Sequence, residues 1–318
     1  LFNIYEMKTF MNGIKKSNSL IKNKYFISST NNVKNIKEYH HDIIKCIKKV
    51  QEVNPLIHCI TNRVTTEKMA NTLLAFGASP AMIDNPLEVE EFAQISSATY
   101  FNLGLHSSQI NNVMVLENLR KNIMKTKLNL IVDPISVGAT KYRSEIIKNI
   151  FLKCKPDVIK GNVSEIVYLD KGEFYGKGVD STDSIFDEKD IINSARKVSL
   201  KYNCTVVVTS KCDYIVSNCS SFLSKIDYDM KILKKITGSG CSVGALCAAA
   251  VSVFPQNHFI ACTAATLLYK LASIKAYQYE KSVGSLNHKI IDEIYYYSNN
   301  PNSLNFEILN IFKLNELI

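Results

Sequence analysis

The hydrophobic and polar positions along the chain follow two alternating patterns. Short runs of mainly apolar residues predict strands that are buried on both faces, as in a parallel sheet. Longer stretches with apolar residues three or four positions apart predict helices. The predicted strands are residues 56–60, 81–83, 99–103, 128–132, 158–159, 205–208, 214–217 and 221–226.

Predicted helices separate most of these strands. Short strands that alternate with helices of about ten or more residues are typical of βαβ units, and so predict an α/β fold whose mainly parallel central sheet is covered by helices on both faces. The last two strands follow one another without a helix, which indicates an antiparallel edge, and only helices are predicted after them. The predicted helices are 37–54, 64–77, 87–94, 109–124, one after Arg143, a short one around Glu165, 187–202, 240–254, 258–279 and 287–297.

The length and composition of the chain predict one large domain after an N-terminal extension. The 318 residues, of which 46% are hydrophobic, can bury a sizeable core. Residues 37–318 contain no strong linker and are predicted to form a single domain. Residues 1–36 are basic, polar and rich in Asn and Ser, which predicts a flexible extension, and Met7 or Met11 is an alternative start.

Cysteine usage and charge indicate a cytoplasmic protein without a nucleic-acid or membrane partner. The nine cysteines form no CxxC pair, and their odd number does not indicate a disulfide framework. Much of the net charge of +9 comes from seven Lys in the first forty residues, and no basic and aromatic cluster accompanies it. The longest strongly apolar run, 241–254, is shorter than the ~20-residue helix that spans a bilayer. Residues 1–36 lack the Arg of a transit peptide, although organellar targeting stays open.

A glycine-rich turn precedes the apolar helix at 240–254. Gly238 and Gly240 allow the backbone to approach a phosphate closely, and the first N–H groups of the helix form a site for an anion. Cys241 lies where the helix dipole favours negative charge, so its thiol is expected to tend towards thiolate. The alternative is an ordinary connection with a buried, inert cysteine.

Polar and charged residues follow the predicted strands, at the sheet edge where ligands bind in α/β folds. Asp133 and Glu165 would repel each other there unless a cation such as Mg²⁺ lay between them. Lys160 can reach a nucleotide phosphate as a point charge, and the hydroxyl of Thr209 can donate a hydrogen bond to another. The alternatives are a turn residue for Asp133, a helix N-terminal charge for Glu165, and solvated loop positions for Lys160 and Thr209.

The sequence lacks the motifs of several other enzyme classes. The segment 172–177 has the wrong spacing for a Walker A loop, and 238–240 does not continue into GxGxxG. No GxSxG motif supports a Ser-His-Asp hydrolase, and His58 and His106 have no paired ligand spacing. Elimination of these classes leaves a protein that binds or transfers phosphate groups by other means.

These residues resemble the hydroxyethylthiazole kinase family of the ribokinase-like superfamily. The resemblance covers roughly residues 50–290 and is specific because its motifs occur together and in the family's order. Related ribokinase-like enzymes usually have aspartate at the position of Cys241. The matching segments are 54–62, 73–82, 102–104, 133–134, 138–140, 160–162 with Glu165, 177–180 and 236–241.

The resemblance implies a ribokinase-like fold and an ATP-dependent phosphotransferase with an alcohol group as acceptor. The expected reaction is phosphorylation of the hydroxyl of 4-methyl-5-(2-hydroxyethyl)thiazole in thiamine biosynthesis and salvage. It also implies a homotrimer with active sites at the subunit interfaces. By position, the resemblance assigns substrate binding to Met82 and Gly238, ATP binding to Lys160 and Thr209, and magnesium and phosphates to Asp133 and Glu165. Cys241, beside the phosphate site in the glycine turn, is then the candidate catalytic base.

Two departures from the family pattern keep alternatives open. The family usually has arginine in place of Lys160, which changes a bidentate contact into a point charge. The segment 135–138 is bulkier than the family's glycine-rich one. A pyrimidine-salvage kinase, a nucleotide-dependent dehydratase and a non-catalytic nucleotide- or thiazole-binding protein are the alternatives, although the first two favour aspartate at position 241.

Overall fold

A computed structural model describes residues 30–85, 87–104, 128–173 and 185–314, with the side chains of residues 30–35 left out. The chain divides into two compact units, Leu1–Tyr39 and His40–Ile318. In the first unit the described residues, 30–39, are helical. The predicted helix at 109–124, most of the predicted extension at 1–36, His106 and the motif segment 177–180 lie outside the described residues.

Nine strands in the described residues of the second unit form one sheet in the order β2-β1-β3-β4-β5-β6-β7-β8-β9. The pairs from β2 through to β6 are parallel, and the remaining pairs are antiparallel. The predicted α/β fold with a mainly parallel sheet and an antiparallel edge is therefore confirmed. The strands are β1 Leu56–Ile60, β2 Ser79–Ala81, β3 Ala98–Asn102, β4 Asn129–Asp133, β5 Val158–Asn162, β6 Thr205–Thr209, β7 Asp213–Ser217, β8 Phe222–Ile226 and β9 Leu309–Lys313.

The strand β9 contradicts the expectation that only helices follow β8. It pairs antiparallel with β8 from Phe222 opposite Lys313 to Ile226 opposite Leu309. The sequence of β9, Leu-Asn-Ile-Phe-Lys, alternates only weakly between apolar and polar residues, so periodicity alone does not reveal it. Its formation depends on the backbone edge of β8, which would otherwise be unpaired.

Helices connect the parallel strands, and their ends follow local capping rules. Asn162 and Asp187 accept N-cap hydrogen bonds at two helix starts, while Gly77 and Gly172 end two helices with positive φ. The first helix begins at Thr30, earlier than the predicted start at 37. The helices of the described part are α1 Thr30–Val53, α2 Thr66–Phe76, α3 Val89–Ile95, α4 Lys141–Cys154, α5 Val163–Lys171, α6 Glu188–Tyr202, α7 Ser239–Val253, α8 His258–Tyr279 and α9 Val283–Asn299, with short 3₁₀ turns at Lys231–Lys235 and Pro301–Ser303.

Helices cover both faces of the sheet. On one face, Phe101, Val132 and Ile159 pack in a hydrophobic cluster with residues of α4, α5 and α6. On the other face, α7 lies against β1, β3, β4 and β5, and α8 lies against β6, β7 and β8. This arrangement places the start of α7 at the carboxyl ends of the central parallel strands.

One helix in the described part, α8, is long and apolar enough to cross a membrane by length and composition. Most of that helix is buried inside the protein, as in the core helices of many soluble proteins. This is weak evidence for a membrane span.

Candidate active site

The carboxyl ends of β3, β4, β5 and β6 bring the predicted polar residues to one edge of the sheet. Asn102 at the end of β3 lies in register with Asp133 at the end of β4. Asn162 at the end of β5 lies in register with Thr209 at the end of β6. The parallel register therefore places these side chains side by side, as expected for a ligand site in an α/β fold.

The glycine turn at the start of α7 closes this edge. Gly238 has a φ of 78°, and a Cβ atom at that position would lie 2.7 Å from Cγ2 of Thr65. A Cβ at Gly240 would lie 2.8 Å from Nζ of Lys160. Glycine is needed at 238 for both its backbone conformation and its close contact with Thr65. At 240 a side chain would press on the end of the flexible Lys160 side chain, which would have to shift.

Asp133 is the centre of the buried polar network. Its Oδ2 accepts hydrogen bonds from the hydroxyl of Tyr100 at 2.8 Å and from Nζ of Lys160 at 3.1 Å. Its Oδ1 is buried and has no hydrogen-bond partner within the described part of the protein. Because an unpaired buried carboxylate oxygen carries a desolvation penalty, this atom is a candidate ligand for a cation.

Lys160 is buried and forms an ion pair with Asp133. Burial by itself would lower the pKa of Lys160, but the charge of Asp133, and those of Cys241 and Glu165 when these groups are ionised, hold that pKa above its ordinary value. The lysine therefore stays charged, and its ammonium group lies between the carboxylates and the first turn of α7.

Glu165 lies in the first turn of α5, the helix N-terminal position that the sequence analysis gave as the alternative to a metal site. Its Oε2 accepts a hydrogen bond from the N–H of Asn162 at 2.7 Å, while Asn162 caps α5 in return. Its Oε1 accepts a hydrogen bond from the N–H of Ser136 at 2.9 Å, which ties the segment after β4 to α5. Burial first, and then the charge of Asp133, raise the pKa of Glu165 to about 7.

Cys241 lies in the first turn of α7, but the expectation that its thiol tends towards thiolate is wrong for this structure. The thiol is buried, and burial raises its pKa, with a further contribution from the charge of Asp133. Lys160 and hydrogen bonds from Asn102 and Thr65 act in the opposite direction and are outweighed. Nδ2 of Asn102 lies 3.3 Å from the sulfur.

Tyr100 is a site residue that motif reasoning missed. Its hydroxyl donates to Asp133 and accepts from Nδ2 of Asn102 at 3.0 Å. Burial first, and then the charge of Asp133, hold the pKa of Tyr100 well above its ordinary value, so the hydroxyl keeps its proton. The strand alternation contained a signal, because residues 100 and 102 of a strand share one face.

Two charged residues on neighbouring helices also reach the site and were not predicted. Nζ of Lys68 on α2 donates to the carbonyl of Thr237 at 2.9 Å, next to Gly238. Burial lowers the pKa of Lys68 to about 8. Arg143 on α4 donates to the carbonyls of Leu103 and Ile135, and so joins the segments that follow β3 and β4.

Met82 and Thr209 lie on opposite flanks of this network. Met82 follows the edge strand β2, and Nε2 of His58 lies 2.8 Å from the carbonyl oxygen of Ile83 next to it. Met82 is three strands from Asp133, about 14 Å at the usual strand spacing, and is not brought into the network. Thr209 is two strands away, about 10 Å, and its hydroxyl donates to the carbonyl of Gly161 at 3.4 Å.

Comparison with solved structures identifies the class of protein. A ribokinase-like superfamily protein from Enterococcus faecalis matches with a TM-score of 0.57 at 11% identity, and the match covers 88% of this chain and 98% of that chain. A hydroxyethylthiazole kinase from Pyrococcus horikoshii matches with a TM-score of 0.71 at 29% identity, covering 85% of this chain and 98% of that chain. The fold is that of a ribokinase-like protein.

Sequence comparison gives the family. The profile of the hydroxyethylthiazole kinase family matches residues 47–300, so the chain belongs to that family and is a kinase. The hydroxyethylthiazole kinase of Clostridium kluyveri is 38% identical over 253 residues, which are 80% of this chain and 91% of that protein. A hydroxyethylthiazole kinase 1 of Clostridium botulinum is 38% identical over 249 residues, which are 78% of this chain and 92% of that protein.

Proposed function

We propose that the protein transfers the γ-phosphoryl group of ATP to the hydroxyl of 4-methyl-5-(2-hydroxyethyl)thiazole, a salvage step of thiamine biosynthesis. Family membership supports the substrate pair. The observation that carries the location of the reaction is Asp133, whose unpaired Oδ1 lies in a buried network with Lys160 at the start of α7. This combination of a carboxylate, a cation and helix N–H groups suits the handling of a transferring phosphoryl group.

The flanking residues suggest where each substrate binds. We assign the thiazole to the side of Met82 and Gly238, because a polarizable thioether suits a sulfur-containing ring. We assign the nucleotide to the side of Lys160 and Thr209. The first intrahelical bond at the start of α7 runs from the N–H of Ser242 to the carbonyl of Gly238, so the preceding N–H groups of Gly240 and Cys241 can donate to phosphate oxygens.

The proposed reaction is an in-line displacement. The hydroxyl oxygen of the thiazole attacks the γ-phosphorus, and the bond from that phosphorus to the bridging oxygen of ADP breaks. The hydroxyl proton passes to the sulfur of Cys241 in its thiolate form. Because the pKa of Cys241 is raised, only a minor fraction of the enzyme holds the thiolate at neutral pH, so this residue is a weak base and positioning supplies most of the catalysis.

Mg²⁺ fits the donor set of this site. Asp133 offers an unpaired buried oxygen. Burial first, and then the charge of Asp133, raise the pKa of Glu165, so a cation beside the two carboxylates would favour their charged forms. In the described part of the chain no group of three or more His, Cys, Asp or Glu side chains could hold a metal, which suits an ion shared with phosphates and water. Asp133, with Glu165 beside it, would hold the ion, which neutralises phosphate charge when bound.

We also propose a homotrimer with active sites between subunits. Several large apolar residues near the β2 end of the sheet are exposed, and a neighbouring subunit there would cover them. Light scattering coupled to size exclusion should give three chains per particle. Replacing Leu87 by Asp should give smaller particles, whereas the same change at Leu152 on α4 should not. The exposed residues are Val64, Leu74, Leu87 and Ile95.

A product-detecting kinase assay tests the function. The chain should convert ATP and the hydroxyethylthiazole into ADP and a thiazole phosphate ester, detected by mass spectrometry, and should leave pyrimidine alcohols and sugars unchanged. Asp133→Asn should abolish turnover. Glu293→Gln is the matched control, because Glu293 is also a buried, lysine-paired acid but lies on α9. Phosphorylation of a pyrimidine instead, or ATP binding without any product, would overturn the proposal.

A further inference from the structure

The ring of Tyr100 is held in one place by a glycine of α7. Tyr100 is completely buried, and a Cβ atom at Gly244 would lie 2.5 Å from Cε2 of its ring and 3.0 Å from its hydroxyl oxygen. Real Cβ atoms do not come so close to other atoms, so the ring occupies space that only glycine leaves free. The hydroxyl of Tyr100 therefore has a fixed position relative to β4 and α7.

That hydroxyl makes the two oxygens of Asp133 unequal. Oδ2 accepts from Tyr100 and from Lys160, which fixes the plane of the carboxylate, whereas Oδ1 has no hydrogen-bond partner among the described residues. Without the hydroxyl, Oδ2 would keep only Lys160 and the longer hydrogen bond from Nδ2 of Asn102 at 3.5 Å. A flexible ammonium group and one long contact restrain the carboxylate less than the full set of donors does.

The same hydroxyl also orients Asn102. It accepts a hydrogen bond from Nδ2 of Asn102, and that amide lies 3.3 Å from the sulfur of Cys241. Tyr100 therefore forms hydrogen bonds with both the carboxylate of Asp133 and the amide of Asn102, which lies beside Cys241 at the start of α7.

We propose that Tyr100 is a positioning residue for phosphoryl transfer: by holding Oδ2 of Asp133, it presents Oδ1 as the carboxylate oxygen that binds the divalent metal. This inference rests on the proposed function, because it assumes a metal shared between Asp133 and the nucleotide. Outer contacts of this kind commonly affect metal affinity by about 10-fold to 100-fold when they are removed.

The test compares Tyr100→Phe, which keeps the ring and removes the hydroxyl, with Tyr297→Phe. Tyr297 is also buried but lies on α9 beside Lys275. Mn²⁺ serves as the probe, titrated against each protein with a non-hydrolysable ATP analogue and followed by electron paramagnetic resonance. We expect Tyr100→Phe to bind Mn²⁺ about tenfold or more weakly. We expect its kcat to fall while its KM for the thiazole is unchanged, and Tyr297→Phe to match the wild type in each measurement.

Wild-type affinity for Mn²⁺ in Tyr100→Phe would overturn the inference. Gly244→Ala provides a second variant, since it keeps the hydroxyl but displaces the ring, and it decides the matter if Tyr100→Phe does not fold. If the wild-type protein makes the thiazole phosphate and Tyr100→Phe binds Mn²⁺ normally, only this inference is refuted. If the wild-type protein makes no thiazole phosphate, the proposed function is refuted instead.

Discussion

Lys160 and Asp133 form a buried ion pair, 3.1 Å from Nζ to Oδ2, that joins the middle of β5 to the carboxyl end of β4. The pair lies directly against Gly240, where a side chain would collide with the ammonium group. It therefore links two parallel strands to the first turn of α7. Charge at this position has to serve both the fold and the proposed chemistry.

Removing the charge of Lys160 should destabilise the protein as well as inactivate it. Lys160→Met keeps most of the side-chain volume but leaves Asp133 and Glu165 buried without their cation. We expect the free energy of unfolding to fall by about 3 kcal/mol, measured by urea denaturation at pH 7. The double variant Lys160→Met with Asp133→Asn removes both charges of the pair and should lose less. An equal or larger loss in the double variant would show that the ion pair is not the cause.

Glu165 should make stability depend on pH. Its pKa in the folded protein is about 7, above the ordinary value of 4.5, so the folded state holds a proton that the unfolded state releases in this range. The stabilisation from this proton is complete below about pH 4.5 and is lost as the pH rises through 7. The loss should be on the order of 3 kcal/mol or less, because the coupling to Asp133 and Lys160 divides the effect.

Urea denaturation of Glu165→Gln across pH 5 to 8 measures this contribution. The variant should be less stable overall, since an amide cannot accept both backbone N–H groups that the carboxylate accepts. Its free energy of unfolding should nevertheless not decline with rising pH as that of the wild type does. The same decline in both proteins would assign the effect to another group.

Variants of Cys241 separate a base from a packing residue. If the thiolate accepts the hydroxyl proton, Cys241→Ala should lower kcat by about 100-fold or less, the lower end for proton transfer, because the raised pKa makes the cysteine a weak base. Cys241→Asp should keep or exceed the wild-type kcat, since the ordinary pKa of aspartate lies far below that of a thiol, and so a larger fraction of this base is ionised at neutral pH even when burial raises its pKa. The measurement is thiazole phosphate formed at saturating ATP and thiazole. Unchanged turnover in the alanine variant would remove the base role.

The sequence was sufficient to predict most of the fold, because the parallel strands are apolar and helices separate them. It also located Asp133 and Thr209 at strand ends, since the carboxyl ends of parallel strands share one edge. Lys160 was expected to follow a strand but lies in the middle of β5, which continues to Asn162. It did not reveal β9, whose pairing depends on a distant strand, 83 or more residues away in sequence at every paired position (Leu309 minus Ile226).

The raised pKa of Cys241 could not be predicted either. The sequence shows that the residue begins a helix, which favours thiolate, but burial and the nearby charge of Asp133 are properties of the folded protein. The contact between Tyr100 and Gly244 joins residues 144 positions apart (244 − 100), and no local pattern encodes it. Tertiary contacts therefore decide the charge states and orientations of this site, while local patterns decide its location.

Gly244 on α7 and Gly284 on α9 should respond oppositely to alanine. At Gly284, in the first turn of α9, nothing lies within 4 Å of an added Cβ, so Gly284→Ala should stabilise the protein by about 0.5–1 kcal/mol through a less flexible unfolded chain. At Gly244 the added Cβ would press on Tyr100, and overpacking of this kind costs about 1–3 kcal/mol. Thermal and urea unfolding of both variants measures the difference.

Combining Gly244→Ala with Tyr100→Ala should lower the free energy of unfolding by less than the sum of the single changes, since the ring that causes the clash is gone. If the losses of the single variants add up to that of the double variant, the strain in Gly244→Ala comes from a contact other than Tyr100.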